Sequence, residues 1–279
     1  MDDIIKQIYE AETNKEALQI LQTRYIELNN NSDEVLLADN DVNAIEIHRG
    51  FLNQNSKITY AQSFGATYKV DLFDDLDFFV NCIRNNKISN KNTFLNALPG
   101  LTIAYFGAVR SSNDTREDAI QEMLSQTKTD EEYFAILNNS KISQFKGKGI
   151  AQCTEFASLT SVLVSLAGFE SYFIMGEMNI GSVNEGHAYN IVQASDGNYY
   201  LMDNANPHCI YDESDKLIGV RPNIFQLSEE TLSSFLNQEI TLNVPLYNGR
   251  FDSSGSIKKI DCKKGEYVSG NPKSKGISK

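Results

Sequence analysis

The chain has 279 residues, a formal net charge of −12 (25 basic against 37 acidic side chains) and 41% hydrophobic residues. That length buries one large core, and that acidity argues against a general nucleic-acid binder, which needs a basic face for phosphates. No apolar run approaches the roughly 20 residues that span a bilayer, and Met1-Asp2-Asp3-Ile4-Ile5 has neither the basic nor the apolar segment of a secretory signal. The expectation is a soluble protein that begins life in a cytosol, with signal-less export left open.

The first thirty residues read as two helices. Ile4, Ile5 and Ile8 form a short apolar face; Thr13 and Glu16 have capping-box spacing, and Ala17, Leu18, Leu21, Tyr25 and Leu28 then recur at helical intervals. Asn29-Asn30-Asn31-Ser32 ends that pattern. Ala44-Ile45-Glu46-Ile47-His48 reads equally as strand or helix, and Ile58-Thr59-Tyr60 as extended. The acidic start and apolar continuation of Asp74-Asp75-Leu76-Asp77-Phe78-Phe79-Val80 predict a helix N-terminus, with Cys82 on its core side. Residues 93–109 are apolar and helical in spacing, and Pro99-Gly100 is expected to break or kink them. Ser112 with Asp114 and Glu117, and Thr129 with Glu132, open two further helices.

Lys146-Gly147-Lys148-Gly149 then leads to Cys153, followed by Phe156, Leu159, Thr160, Leu163, Leu166 and Ala167 at helical spacing, with Gly168 as a left-handed C-terminal cap. A Cys at a helix N-terminus meets unpaired N–H groups and the positive end of the dipole, which favour thiolate. Cys153 is therefore a candidate nucleophile, although an isolated Cys on a helix is more often a small buried apolar group. The four Cys (Cys82, Cys153, Cys209, Cys262) show no paired spacing, so neither a disulfide framework nor a zinc site is expected.

After Gly168 the period changes to that of strands. Ser171-Tyr172-Phe173-Ile174-Met175 is aromatic and β-branched, and the segments starting at His187 and Tyr199 alternate about a Ser195-Asp196-Gly197-Asn198 turn. With His187 starting one strand and Asp203 ending the next, an antiparallel hairpin brings them together. A carboxylate on one ring nitrogen fixes the tautomer that deprotonates a thiol with the other. Leu227-Ser228-Glu229-Glu230 begins a short helix and Ile240-Thr241-Leu242-Asn243-Val244 a strand; from Ser253 the chain is polar and Lys-rich. Residues 1–110 thus read as a mainly helical region, 111–250 as the core and 251–279 as a polar tail, disordered from residue 271. His208-Cys209 has no further ligand spacing, so no metal is expected there.

Cys153, His187 34 residues later and Asp203 16 beyond that give the chain order of papain-like sites. Gly149-x-x-Gln152-Cys153-x-Glu155-Phe156-Ala157, Gly186-His187-Ala188-Tyr189-Asn190 and Asp196-Gly197-x-Tyr199-Tyr200-x-x-Asp203-x-x-x-Pro207 resemble the transglutaminase-like superfamily, across residues 145–210. The resemblance implies an α+β protein with a papain-like core, a nucleophile helix packed on an antiparallel sheet, behind a helical N-terminal region. It implies Cys153 as nucleophile, His187 as base and Asp203 as its orienter, acting on a peptide or protein substrate with no cofactor and no metal. Family members often carry Trp where this chain has Tyr189 and Tyr200. The chain has no Trp at all, so the second oxyanion donor must come from elsewhere: Gln152, Gln144 or a Tyr. That absence favours hydrolysis over crosslinking. Alternatives are a secreted effector modifying a foreign protein and a non-catalytic binding module. The sequence carries no signal for an oligomeric state.

Overall fold

The computed structural model describes residues 3–31, 36–38, 44–48, 67–71, 74–137, 142–180, 183–214, 216–230, 232, 242–243, 249–251, 257–259 and 266–267. Cys262, Ile58-Thr59-Tyr60 and the segment from residue 271 lie outside them.

Helices α1 (Ile4–Glu10) and α2 (Asn14–Asn31) open the chain. Asp3 caps α1 by accepting from the Lys6 N–H at 3.1 Å, and the Thr13 hydroxyl accepts from the Glu16 N–H at 3.1 Å. Strands β1 (Leu36–Ala38), β2 (Ala44–His48) and β3 (Thr67–Asp71) form a three-stranded antiparallel sheet, so the ambiguous Ala44 segment is a strand. Next come α3 (Asp74–Asn85) and α4 (Lys91–Phe106).

Helix α4 runs through Pro99 without the expected break. The proline withholds one backbone N–H, but it is buried among apolar residues, and packing of Phe94, Leu95, Leu98, Leu101 and Phe106 outweighs the lost bond. Thr102 Oγ1 donates into the same turn, to the Leu98 and Pro99 carbonyls at 3.1 Å each.

Helices α5 (Asn113–Ser125) and α6 (Asp130–Leu137) begin at their expected caps, Ser112 accepting from the Thr115 N–H and Thr129 from the Glu132 N–H. A 3₁₀ turn (Ile142–Phe145) precedes α7 (Cys153–Leu166). Helix α7 ends as its sequence predicts: Gly168 has φ +78°, and the Phe169 N–H bonds the Val164 carbonyl at 3.0 Å.

Strands β4 (Ser171–Ile180), β5 (Val183–Gln193), β6 (Tyr199–Met202), β7 (His208–Tyr211), β8 (Leu217–Arg221), β9 (Ile224–Gln226) and β10 (Leu242–Asn243) follow. The main sheet has the order β10-β4-β5-β6-β9, with β10 parallel to β4 and the other pairs antiparallel. Strands β7 and β8 join β13 (Glu266–Tyr267) in a second sheet, and β11 (Gly249–Phe251) pairs with β12 (Ile257–Lys259). Strands β12 and β13 fall within the stretch read as a polar tail. The fold is thus α+β, mixing helices with largely antiparallel sheet. Among the described residues no helix is long and apolar enough to cross a membrane.

One buried apolar cluster runs from Ile5 and Ile8 of α1, through α3 and α4, to α7 and Val192, Tyr200, Met202 and Ile224 of the main sheet. Its centre is a row of rings: Phe79 stacks on Tyr105 at 5.3 Å, Tyr105 meets Phe106 at 5.1 Å, and Phe106 meets Phe156 at 4.8 Å. That row fixes α7 against the N-terminal helices. Polar bonds fix it against the sheet: Asn190 Nδ2 donates to the Ala157 carbonyl at 3.1 Å and Ser161 Oγ at 2.8 Å, and Asn204 Nδ2 to Thr160 Oγ1 at 2.8 Å.

Candidate active site

The Gly- and Lys-containing loop before Cys153 is docked on the end of α4. The Gly147 N–H bonds the Tyr105 carbonyl at 2.9 Å, and the Gly149 N–H bonds the Phe106 carbonyl at 2.7 Å. Gly107 has φ +84°, and a Cβ there would come within 2.9 Å of the Gly147 backbone, so this close approach requires glycine. Residues 150 and 151 are then pinned: the Ser111 N–H bonds the Ala151 carbonyl at 2.9 Å, and Ser111 Oγ donates to the Ile150 carbonyl at 3.0 Å.

This delivers the chain to Gln152, the N-cap of α7, with Cys153 as the first helical residue. Glu155, fully buried, accepts from the Gln152 N–H at 2.9 Å and closes the cap. It also binds Arg116 of α5 through two parallel bonds of 2.6 and 2.8 Å. Glu155 is therefore a structural anchor for the mouth of α7. The Cys153 N–H is one of the first four of the helix, which have no intrahelical partner.

His187 lies inside β5, paired across to Gly176 of β4, and not at the start of its strand as the alternation implied. The strand extends to Val183 because β4 continues to Ile180 and pairs with it, whereas β6 covers only Asn190 to Gln193. Asp203 follows the last residue of β6, and its N–H bonds the Asn223 carbonyl at 3.0 Å. From there Asp203 Oδ2 reaches His187 Nε2 at 2.8 Å, both side chains being 1% exposed. The other ring nitrogen, Nδ1, is buried with no hydrogen-bond partner, and the ring and the Cys153 thiol interact electrostatically. The three residues singled out in the sequence are thus brought together.

Burial alone would push the Cys153 thiol up. The hydrogen bond and charge of His187, the Ala188 N–H and the positive charge of Arg110 outweigh it, and the thiol is held below its ordinary value. Burial likewise disfavours charged His187, but Asp203, with a further contribution from Cys153, pushes it up to about 10. Asp203 is held below the usual carboxylate range: burial opposes this, and the charge and hydrogen bond of His187, the Asn206 amide and Arg110 prevail. The arrangement favours a thiolate–imidazolium pair at neutral pH.

Three members of the site carry no recognisable sequence signal. Asn206 Nδ2 lies 2.8 Å from Asp203 Oδ2 and 3.1 Å from His187 Nε2. With Nε2 protonated toward Asp203, the Asn206 amide donates to the carboxylate and only neighbours the ring. The N–H groups of Ala205 and Asn206 approach Asp203 Oδ1 at 3.2 and 3.3 Å, so the carboxylate sits in a nest of donors. Arg110 acts through its charge, and Arg116 through Glu155.

Of the aromatic pair, Tyr189 flanks the site, its ring 5.9 Å from that of His187. Tyr200 does not: its hydroxyl donates to Asp196 Oδ2 at 2.6 Å and braces the hairpin turn. Gln152 lines a surface cavity together with three residues of α5. The amide of Gln144, in the 3₁₀ turn, is buried without a hydrogen-bond partner. His208 and Cys209 are buried in β7, where burial pushes the Cys209 thiol up to about 11. Among the described residues no three His, Cys, Asp or Glu side chains are placed to hold a metal.

No family model matches this chain, and neither does any curated protein or solved structure.

Proposed function

We propose that this chain carries a papain-like, transglutaminase-like core and transfers acyl groups from an amide through a thioester on Cys153. The observation that carries the proposal is the division of labour on the His187 ring: one nitrogen is bound to Asp203, the other is buried with no hydrogen-bond partner, and the ring interacts with the Cys153 thiol. The thiolate attacks the carbonyl carbon of a carboxamide or peptide bond. The His187 imidazolium gives its proton to the departing nitrogen, leaving the thioester and ammonia or an amine. Neutral His187 then takes a proton from water or an acceptor amine as it attacks, and the thiolate leaves. Water yields hydrolysis or deamidation; an amine yields a crosslink. The Cys153 N–H, one of the first four of α7, donates to the oxyanion in this scheme. The substrate is a peptide or protein.

Mass spectrometry of a protein mixture treated with the full chain and with Cys153→Ala tests this. A gain of about one mass unit at Gln marks deamidation, a loss of about seventeen a crosslink, and new termini cleavage. Identical spectra from the two proteins would remove the proposal.

A further inference from the structure

At the mouth of α7 lies a solvent-open cavity of about 240 Å³ lined by Arg116, Glu117, Ile120 and Gln152. Three of these side chains come from one face of α5, and the fourth is the N-cap of α7, adjacent in sequence to Cys153. We propose that this cavity is a subsite for a cationic side chain, Lys or Arg, of the substrate peptide whose carbonyl meets Cys153. The proposal rests on reading Cys153 as the nucleophile and adds the substrate class.

Size comes first. Pockets that enclose whole drug-sized ligands run to about 300–1,000 Å³; this one is smaller and open to solvent, with room for a side chain.

The lining then selects which. The Arg116 charge is engaged by Glu155 in a two-bond pair, 12% and 1% exposed, and its guanidinium lies 4.8 Å from the Phe145 ring centroid. It therefore closes the cavity as a neutralised wall, not as an anion receptor. Glu117 is exposed and enters no ion pair among the described residues. Half-buried Ile120 offers an apolar surface one helical turn away. A methylene stem along Ile120 with its charged head at Glu117 is the way Lys and Arg side chains divide themselves between apolar surface and water.

Charge beyond the cavity points the same way. Exposed Asp114 shares α5 with Glu117, and the first turn of α6 holds Asp130, Glu131 and Glu132.

The test uses thiol-reactive probes, so that it does not depend on turnover. Chloroacetyl-lysine amide, chloroacetyl-leucine amide and chloroacetyl-glutamate amide each alkylate a thiolate with loss of chloride and differ only in side chain. Each rate at Cys153 of the full chain is divided by that of iodoacetamide, which carries no side chain. The expected lysine-over-glutamate preference is about five- to tenfold at low salt, fading as salt screens it. Glu117→Lys should reverse it. Asp118→Lys, the same charge change outside the cavity lining, should leave it within about twofold. Equal rates for the three probes, or equal loss in both variants, would overturn the subsite while leaving the nucleophile intact. Failure of iodoacetamide itself to distinguish Cys153 from Cys82 and Cys209 would overturn the nucleophile, and the subsite with it.

Discussion

Nε2 of His187 and Oδ2 of Asp203 lie 2.8 Å apart, inside the protein and out of contact with water. A buried imidazolium is costly alone; next to a carboxylate that is itself held by Asn206 and two backbone N–H groups, it is favoured. In the proposed mechanism the reactivity of Cys153 depends on that second layer as much as on the helix mouth.

Asp203→Asn therefore lowers turnover by about a hundred- to ten-thousandfold, because the amide cannot stabilise the imidazolium. Asn206→Ala removes one of several donors to the carboxylate and costs about ten- to a hundredfold. Steady-state rates on any substrate found by mass spectrometry check the ranking. A larger loss in Asn206→Ala than in Asp203→Asn would contradict the layered arrangement.

Because His187 is pushed up to about 10, its proton is available to the leaving group throughout neutral pH, and turnover falls as pH rises through that value. The linked stability has the same sign. The folded value lies above the ordinary one of about 6.5, so the imidazolium contributes stability that is fully present below about 6.5. It is lost as pH climbs through about 10. Urea midpoints of the wild type should drop more between pH 6 and 10.5 than those of His187→Gln. Equal drops would show that the imidazolium is not held.

Glu155→Ala strands Arg116, whose side chain is only 12% exposed, and opens the cap of α7. Removing one partner of such a pair costs about 3–5 kcal/mol, with the cap adding about 1. Urea unfolding measures this, and a loss under about 1 kcal/mol would contradict the anchoring role.

The helices of this chain were legible where local chemistry decides them. Thr13, Ser112 and Thr129 cap as their spacing indicates, and Gly168 ends α7 in the left-handed conformation. The break expected at Pro99 failed because burial of α4 is a tertiary effect that no local rule contains. The same holds for β5: its extension to Val183 depends on β4 as partner, so the reading that put His187 first in its strand missed four residues. At the site, Cys153, His187 and Asp203 carry a pattern of type and order. Arg110, Arg116 and Asn206 are ordinary polar residues until the fold places them beside that trio.

The most direct test is the pH dependence of iodoacetamide alkylation at Cys153, in the wild type and in His187→Ala. The wild-type thiol should react in mildly acidic solution, ahead of Cys82 and Cys209, whose thiols burial pushes up. Loss of His187 should move that reactivity toward the ordinary thiol range near pH 8.5, or above it because the thiol is buried. Superimposable profiles for the two proteins would contradict the pairing of the thiol with the ring.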